Sequence, residues 1–485
     1  ARFLDCYRAK VGSFASVNPM GRGVQWTCTM EVGIRVFNLL SSYELLRCGL
    51  CEDDPMHTVI AELAFCHGEH IWANLETSAR LQENNHYIAD LLGLAAVVAA
   101  YPNLPKARKW GEYTHNELMR CVRKQVLDDG CCFERSTRYT RLMGEMLFFA
   151  GKCFAETPYK LPAEYFERLS ILGRFLDAVT NKDGRSLQVG DNDSGRVVCI
   201  SPERYDDLRL VSRLVDREIG PDAPDEAFFA EEELFYGASG RVACFPSWRG
   251  GARTFYDAGM ALARYGDWSL GFFASDGFVD ESEPGHTHND KLSFTLGFKG
   301  VPFFVDPGSG VYTRDPKVRN ILRGTAQHST LRFGNLEQNE FRGLFGYMRC
   351  GGASLDVAEA DGTVVFRGAT DCWATRLGVT HKRVVEVGSE GVAVKDDVEG
   401  AAPAVAATRS FVLAPEVDVS VVGRKEAVLT CRGVSVVFCA ESDISVREGL
   451  YSPHYGAVIK SSILDVPFEY GRTNVITVRE ILNED

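Results

Sequence analysis

Helical periodicity dominates the first part of the chain. From residue 1 to about Pro221, apolar residues recur at the i, i+4 and i+7 spacing of amphipathic helices, as in the segment Trp26–Leu40. Short segments rich in Pro, Gly, Asn and Asp separate these runs. Repeated helices with short connections predict an α/α toroid or a helical layer. The further predicted helices are Val59–Ala73, His86–Ala100, Lys106–Leu127, Tyr139–Thr157 and Ala163–Thr180.

Alternation of apolar and polar residues replaces this periodicity from about Glu233 onward. Short β-branched segments separated by Gly, Asp and Ser turns predict a large antiparallel β-sandwich, with a hairpin turn at Val387–Gly391. The expected fold class is therefore α+β and multidomain. A helical domain at residues 1–222 and a sandwich domain at residues 223–485 would be joined by a linker at Asp216–Glu226. The clearest strand segments are Val364–Arg367, Arg383–Val387, Gly391–Lys395 and Gly433–Phe438.

Length and charge narrow the possible classes of protein. A chain of 485 residues exceeds what one hydrophobic core normally organises, so two domains are expected. The net charge of −13 argues against a nucleic-acid partner, although a local basic cleft would still accept an anionic substrate. The sequence contains no apolar run of membrane-spanning length, so we expect no membrane span. Motifs of the GxGxxG, P-loop and GxSxG types are also missing, which lowers support for nucleotide and serine-hydrolase chemistry.

Histidines and a carboxylate cluster in one part of the second half. His286 and His288 are one residue apart, and in extended backbone such side chains project to the same side, with Asp290 next in the row. A short apolar strand then ends at Asp306, and His328 follows. These groups fit a metal site, a general acid–base site, or both. The alternative is a histidine pair that only caps a strand.

Asn84, Asn85 and His86 form the first candidate group of the helical half. They precede a strongly apolar helix. Either asparagine would cap this helix, and free backbone N–H groups at a helix N-terminus also favour a carboxylate ligand.

The second candidate group surrounds Tyr139, where Ser136 or Thr137 would cap a helix. Arg135, Arg138 and Arg141 are spaced by three residues, so we expect them to share one helix face. Neighbouring cations would bias Tyr139 towards phenolate. The alternative is a solvated basic face. The Gly- and Asp-rich loop Gly190–Arg196 is interpreted as a turn that lines the cleft.

Several of these segments together resemble one known family. The chain resembles the heparinase II/III-like polysaccharide lyases, whose motifs appear here in the family's order. The resemblance implies an α/α toroid, incomplete in this chain, followed by an antiparallel β-sandwich. The carrier segments are Trp26–Asn38, Asn85–His86, Ser136–Tyr139, His286–Asp290, Val305–Gly308 and Arg319–Thr330.

The resemblance also implies a role for each matching residue. Asn85 would hold the substrate carboxylate with help from His86, and Tyr139 and His286 would be catalytic. His288, Asp306 and His328 would bind a divalent metal, zinc or an alternative such as Mn²⁺, with a structural role. Thr140 stands where the family often has histidine, and Ser329 where it has asparagine. Further residues expected to contact substrate are Asn84, Arg135, Arg138 and Arg319.

The implied reaction is β-elimination on a uronate-containing polysaccharide, such as hyaluronan, chondroitin or heparan sulfate. Either Tyr139 serves as both base and acid, or His86 or His286 is the base and Tyr139 the acid. The alternatives are an alginate or other polyuronate lyase, a metal-dependent glycan hydrolase and a non-catalytic glycan-binding protein.

The compartment stays open. The chain has fifteen cysteines, an odd and scattered set that favours reduced thiols, whereas the resemblance favours export in bacteria. The oligomeric state is also open.

Overall fold

The computed structural model describes residues 2–77, 84–181, 184–199, 207–215, 248, 250–275, 286–348 and 351–481. The predicted domain boundary at residues 222 and 223 and the linker Asp216–Glu226 lie outside the described residues. Within them, helices come first and antiparallel sheets follow, as the two periodicities predict. Among the described helices, none combines the length and the hydropathy that a bilayer crossing requires. All described cysteines are free thiols.

Side-chain caps set where the central helices begin. The Asn84 side chain accepts a hydrogen bond from the His86 N–H, and Ser136 accepts one from the Tyr139 N–H, so the two predicted caps are confirmed. The helices are α1 Arg2–Val17, α2 Thr29–Leu46, α3 Pro55–Ala73, α4 Asn85–Ala100, α5 Ala107–Gln125, α6 Thr137–Phe154, α7 Ala163–Ala178, α8 Arg209–Val215, α9 Pro316–Leu322 and α10 Ala374–Leu377.

Helix α4 lies at the centre of the helical region and is buried over nearly its whole length. It packs against α2 at a glycine contact, because a Cβ on Gly93 would lie 2.6 Å from the Gly33 Cα. Helices α2, α3, α5 and α6 all contact α4, so α4 has no solvent face and is apolar on nearly all sides. Predicted and observed helix ends differ by up to six residues. The helix predicted at Trp26–Leu40 ends at Leu46, and the one predicted at Val59–Ala73 begins earlier at Pro55 behind its cap Asp54.

The second half consists of antiparallel sheets. The strands are β1 Gly251–Phe255, β2 Met260–Tyr265, β3 Trp268–Phe273, β4 Ser293–Phe298, β5 Val301–Phe304, β6 Leu331–Phe333, β7 Phe341–Arg342, β8 Gly346–Tyr347, β9 Ala353–Ala360, β10 Thr363–Thr370, β11 Thr380–Gly388, β12 Gly391–Glu399, β13 Ala407–Val412, β14 Asp418–Gly423, β15 Glu426–Cys431, β16 Val434–Ala440, β17 Ser445–Tyr451, β18 Ile459–Pro467 and β19 Asn474–Glu480. The strand orders in the sheets are β1-β2-β3-β4-β5, β14-β15-β16-β19-β12-β11-β10-β9, β17-β18-β13-β6 and β7-β8. The hairpin predicted at Val387–Gly391 is confirmed, because β11 and β12 pair up to Gly388 and Gly391.

The loop after residue 189 joins the helical region to the sheets. Gly190 has a φ of 67°, and a Cβ there would lie 2.4 Å from the His286 carbonyl oxygen, so only glycine allows this approach. The next residue, Asp191, donates its N–H to the same carbonyl at 2.8 Å. The Ser136 hydroxyl donates to the Asp191 carbonyl oxygen at 2.6 Å. The cap of α6, this loop and the histidine segment are therefore fixed to one another.

Candidate active site

Asp191 is the buried centre of the site. Its carboxylate accepts hydrogen bonds from His286 Nδ1 at 2.9 Å and from His288 Nε2 at 3.0 Å, so the predicted same-side projection of the two histidines is confirmed. Arg319 pairs with both carboxylate oxygens, at 2.6 Å from Nη2 to Oδ2. Burial alone would raise the pKa of Asp191, but Arg319 and the two histidines hold that pKa far below its usual range. Asp191 is thus a permanent anion that orients both imidazoles.

Tyr139 and His286 form a stacked pair. Their ring centroids are 3.8 Å apart with planes 21° from parallel, and the Tyr139 hydroxyl lies 3.2 Å from that of Tyr312. Burial, together with the neighbouring Tyr312, Asp193 and Asp191, raises the pKa of Tyr139 well above its ordinary value of about 10. Tyr139 is therefore a neutral phenol in this structure.

The expectation that three arginines bias Tyr139 towards phenolate is wrong. Arg135 precedes helix α6 and has a left-handed backbone with φ 52°, so it does not continue the helical row. Arg141 is buried and donates to the Gly195 carbonyl oxygen at 2.6 Å. Arg138 is also buried, which removes the predicted solvated face. Anionic carboxylates, rather than cations, dominate the field at the phenol.

Glu134 links Asn85 to the stacked pair. It is buried and accepts hydrogen bonds from the Asn85 backbone N–H and side-chain Nδ2, each at 3.0 Å. Its Oε2 also lies 3.3 Å from His286 Nε2. The Asn85 Oδ1 is buried and accepts no hydrogen bond from the described residues. Glu134 therefore fixes the plane of the Asn85 amide and competes with any substrate for its N–H groups.

His286 has a carboxylate at each ring nitrogen. Although burial opposes protonation, the hydrogen bond to Asp191 and the charge of Glu134 raise the pKa of His286 above its ordinary value. The imidazolium form is favoured next to the neutral phenol.

His86 lies at the start of α4 and pairs with Glu76 rather than with Tyr139. Its Nδ1 is 2.7 Å from Glu76 Oε2. Burial opposes protonation, but hydrogen bonds to Cys28 and Glu76 raise the pKa of His86 to about 10. His86 is thus a cation at neutral pH. The Asn84 side chain is used in capping this helix.

The expectation that Arg319 contacts substrate is wrong. The side chain is fully buried and forms a two-point ion pair with Asp191. Such a pair does not open for a ligand, because it would leave an uncompensated buried charge. Arg319 instead holds the carboxylate that orients the histidines.

His288, Asp306 and His328 form a buried cluster whose ligand atoms all lie within 4.8 Å of one another. His288 Nδ1 is 3.3 Å from His328 Nε2, which is 3.4 Å from Asp306 Oδ2. Asp306 Oδ2 is buried without a hydrogen-bond partner among the described residues. The other ring nitrogens face away from the cluster. His288 Nε2 bonds to the Asp191 carboxylate at 3.0 Å, and His328 Nδ1 bonds to the Gly324 carbonyl oxygen at 2.8 Å.

This arrangement fits a metal ion. Two imidazoles and one carboxylate are a normal zinc donor set, and ligating histidines usually donate their other N–H to a carboxylate or a carbonyl. Asp290, third in the predicted row, is not one of the three; its Oδ1 lies 3.9 Å from Lys291 Nζ.

Three residues of the site were not predicted from the sequence. Asp191 falls in the loop interpreted as a cleft-lining turn, and its flanking glycine was the available signal. Glu134 directly precedes Arg135, the first of the three arginines, and no motif marks it. Tyr312 carries no motif, and only its contact with Tyr139 reveals it.

Comparison with known proteins places the chain in a family. The profile described as Heparinase II/III N-terminus matches residues 7–176, and the one described as Heparinase II/III-like, C-terminal matches residues 249–479. A curated heparin-sulfate lyase of Pedobacter heparinus is 23% identical over 313 residues, which are 63% of this chain and 44% of that protein. The chain thus matches less than half the length of this relative.

Solved structures agree with this placement. A crystal structure of heparinase III superposes with a TM-score of 0.73 at 17% identity, covering 99% of this chain and 74% of that one. The heparan sulfate lyase HepC of Pedobacter heparinus gives 0.66 at 18% identity, covering 99% and 73%. A Streptomyces coelicolor chondroitin AC lyase in complex with chondroitin sulphate gives 0.61 at 10% identity, covering 99% and 71%.

The chain belongs to the heparinase II/III-like family. Its fold class, an N-terminal α/α toroid followed by an antiparallel β-sandwich, is confirmed. Whether the toroid is complete stays a prediction, as do the domain bounds and the roles of the remaining site residues.

Proposed function

We propose that this protein is a lyase that cleaves a uronate-containing polysaccharide by β-elimination and leaves a 4,5-unsaturated uronate at the new chain end. The observation that carries the proposal is the Tyr139–His286 stack at 3.8 Å, which Glu134 connects to the Asn85 amide. Relatives named heparin-sulfate lyase and chondroitin AC lyase support an anionic glycosaminoglycan as substrate, with heparan sulfate as the first candidate.

The difficult step is removal of the proton on C5. This proton is weakly acidic while the adjacent carboxylate keeps its charge. His86, with a pKa of about 10, offers a cationic donor for the negative charge that develops on that carboxylate. A well-placed donor of this kind is worth roughly 3–4 kcal/mol of barrier.

Tyr139 is assigned as the proton donor to the leaving glycosidic oxygen. Burial keeps it a neutral phenol, which is the form a general acid needs. His86 is a poor base, because its proton is held by the pair with Glu76. The base is therefore His286 in its neutral form, the less populated one because its pKa is raised, and it takes the C5 proton while Tyr139 gives its phenolic proton to the leaving oxygen. His286 then releases this proton and Tyr139 is reprotonated, which restores both groups. Because these two rings contact each other, removal and delivery of protons take place on the same side of the sugar.

A divalent metal, zinc or an alternative such as Mn²⁺, would be held by His288 Nδ1, His328 Nε2 and Asp306 Oδ2. When bound, the ion supplies a cross-link between the segments that carry these residues. The three ligands are almost fully buried, which disfavours the metal-dependent hydrolase alternative that activates water at an open position. Asp191 orients His286 and His288 through its two carboxylate oxygens, so the cross-link supports the position of the catalytic ring.

The test is to incubate the purified protein with heparan sulfate, chondroitin sulfate, hyaluronan and alginate. Ultraviolet absorbance of the new C4–C5 double bond is followed for the wild type and for Tyr139→Phe. Absorbance that rises on one polymer and is lost in the variant is the expected result. Reducing ends without this absorbance would instead establish hydrolysis. Binding of a polymer without any product would establish a glycan-binding protein.

A further inference from the structure

A second group of metal-binding side chains lies at the edge of the candidate active site. In the described part of the chain, Cys28, Glu76 and His86 are the other cluster whose ligand atoms all fall within 4.8 Å of one another. Glu76 Oε2 lies 2.7 Å from His86 Nδ1, and Cys28 Sγ lies 3.9 Å from Glu76 Oε1. The three residues come from the start of α2, the segment after α3 and the start of α4.

The Glu76 carboxylate is already oriented for metal binding. Its Oε1 accepts hydrogen bonds from the backbone N–H groups of Thr29 at 3.0 Å and Met30 at 3.1 Å, where it caps α2. Its Oε2 faces His86 and is the oxygen left for a ligand. Metal-bound carboxylates commonly have such hydrogen bonds on the non-ligating oxygen, because these fix the carboxylate plane.

The two clusters differ in access and in donor type. The side chains of His86 and Glu76 are 39% and 31% exposed, whereas His288 and His328 are buried. A sulfur, a nitrogen and an oxygen donor favour zinc or a softer ion such as cadmium over magnesium or calcium. Three protein ligands leave a fourth position open to solvent. Ligand atoms around tetrahedral zinc lie roughly 3.3–3.7 Å apart, so half-exposed side chains need to shift by only about 1 Å.

We propose that Cys28, Glu76 and His86 form an exchangeable site for a thiophilic divalent cation such as Zn²⁺, and that occupation of this site inhibits the enzyme. Binding forms bonds from the metal to Sγ, Oε2 and Nδ1, and the thiol and imidazole protons leave to solvent. The metal then holds His86 away from the substrate carboxylate. The inhibition, though not the binding, rests on the lyase function proposed above.

Binding is tested on the whole protein with Zn²⁺ alone and Co²⁺ alone. Equilibrium dialysis is expected to give one more bound Zn²⁺ per chain for the wild type than for Cys28→Ser. Co²⁺ is expected to give a thiolate-to-metal charge-transfer absorbance that Cys28→Ser lacks. Cys48→Ser is the matched control, because it removes an exposed thiol, in a Cys-x-x-Cys spacing with Cys51, that is not part of the Cys28, Glu76 and His86 cluster. Equal stoichiometry and equal cobalt absorbance in wild type and Cys28→Ser would overturn the site.

Inhibition is measured on whichever polymer the protein cleaves, with each variant referred to its own rate without added metal. Zn²⁺ should inhibit the wild type and Cys48→Ser at concentrations at least tenfold lower than those needed for Cys28→Ser. Zinc that binds at Cys28 without lowering the rate would refute the inhibitory role. If no polymer is cleaved, the lyase proposal fails, while the dialysis and cobalt measurements still decide the metal site. Thermal melts of the three proteins confirm that the comparison is made between folded chains.

Discussion

Substitution Asp191→Asn tests whether one buried carboxylate holds the site together. Asp191 and Arg319 are both fully buried, and the carboxylate also accepts from His286 and His288. The amide of asparagine is nearly the same shape but is uncharged, and its NH₂ group would face the Arg319 donors. Breaking a buried ion pair by removing one charge costs about 3–5 kcal/mol, because the other charge is left uncompensated. We expect the free energy of unfolding to fall by about that amount.

The measurement is urea unfolding followed by tryptophan fluorescence, together with the rate of double-bond formation per folded molecule. The chain provides a matched control in Asp396, a second fully buried carboxylate, which pairs with Arg383 at 2.7 Å and His381 at 2.8 Å within the β-sandwich. Asp396→Asn should destabilise the protein by a similar amount. Its folded molecules should keep their lyase rate, whereas those of Asp191→Asn should lose at least tenfold, because His286 loses its orienting partner.

A double variant makes the reasoning refutable. Asp191→Asn with Arg319→Met removes both charges. The loss in free energy of unfolding in this double variant should therefore be smaller, by at least about 1 kcal/mol, than the sum of the losses in the two single variants, as expected for contacting residues. If Asp191→Asn is as stable as the wild type, or if the two effects simply add, the carboxylate does not compensate the Arg319 charge and this account of the site is wrong.

Three further predictions concern the phenol, His86 and the metal. Tyr139→Phe should lower kcat by about 10²–10⁴-fold with little change in stability. Tyr312→Phe removes only the neighbouring hydroxyl, so its kcat should fall far less. Equal losses of kcat in the two variants would contradict the assignment of Tyr139 as the proton donor. The folded-state pKa of His86 is raised to about 10 from an unfolded value of about 6.5, so the stability from its pair with Glu76 is fully present below pH 6.5 and is lost as the pH rises through 10. The stability difference between wild type and His86→Gln, measured by urea unfolding, should therefore be larger at pH 6 than at pH 10.5, and a difference independent of pH would refute this. Chelation of metal-loaded protein should lower the melting temperature of the wild type but not of Asp306→Asn, and an equal response would exclude Asp306 as a ligand.

Local patterns in the sequence determined the elements and several positions within them. Apolar periodicity located the helices and alternation located the sheets, because each element buries one face with its own period. Asn84 and Ser136 were predictable as caps, since a side-chain oxygen before a helix satisfies backbone N–H groups within three residues. The common side of His286 and His288 followed from extended backbone alone.

Only the tertiary structure decided how these pieces form a site. Asp191 is 95 residues from His286 in the chain and Glu134 is 49 residues from Asn85, so no local pattern relates them. The direction of the Tyr139 pKa shift was predicted wrongly, because the arginines nearby in the sequence suggested cationic surroundings. A pKa depends on burial and on the charges that packing brings close, and around this phenol packing brings carboxylates. The sequence therefore determined which groups are present, and the docking of the helical region on the sheets determined which of them share protons.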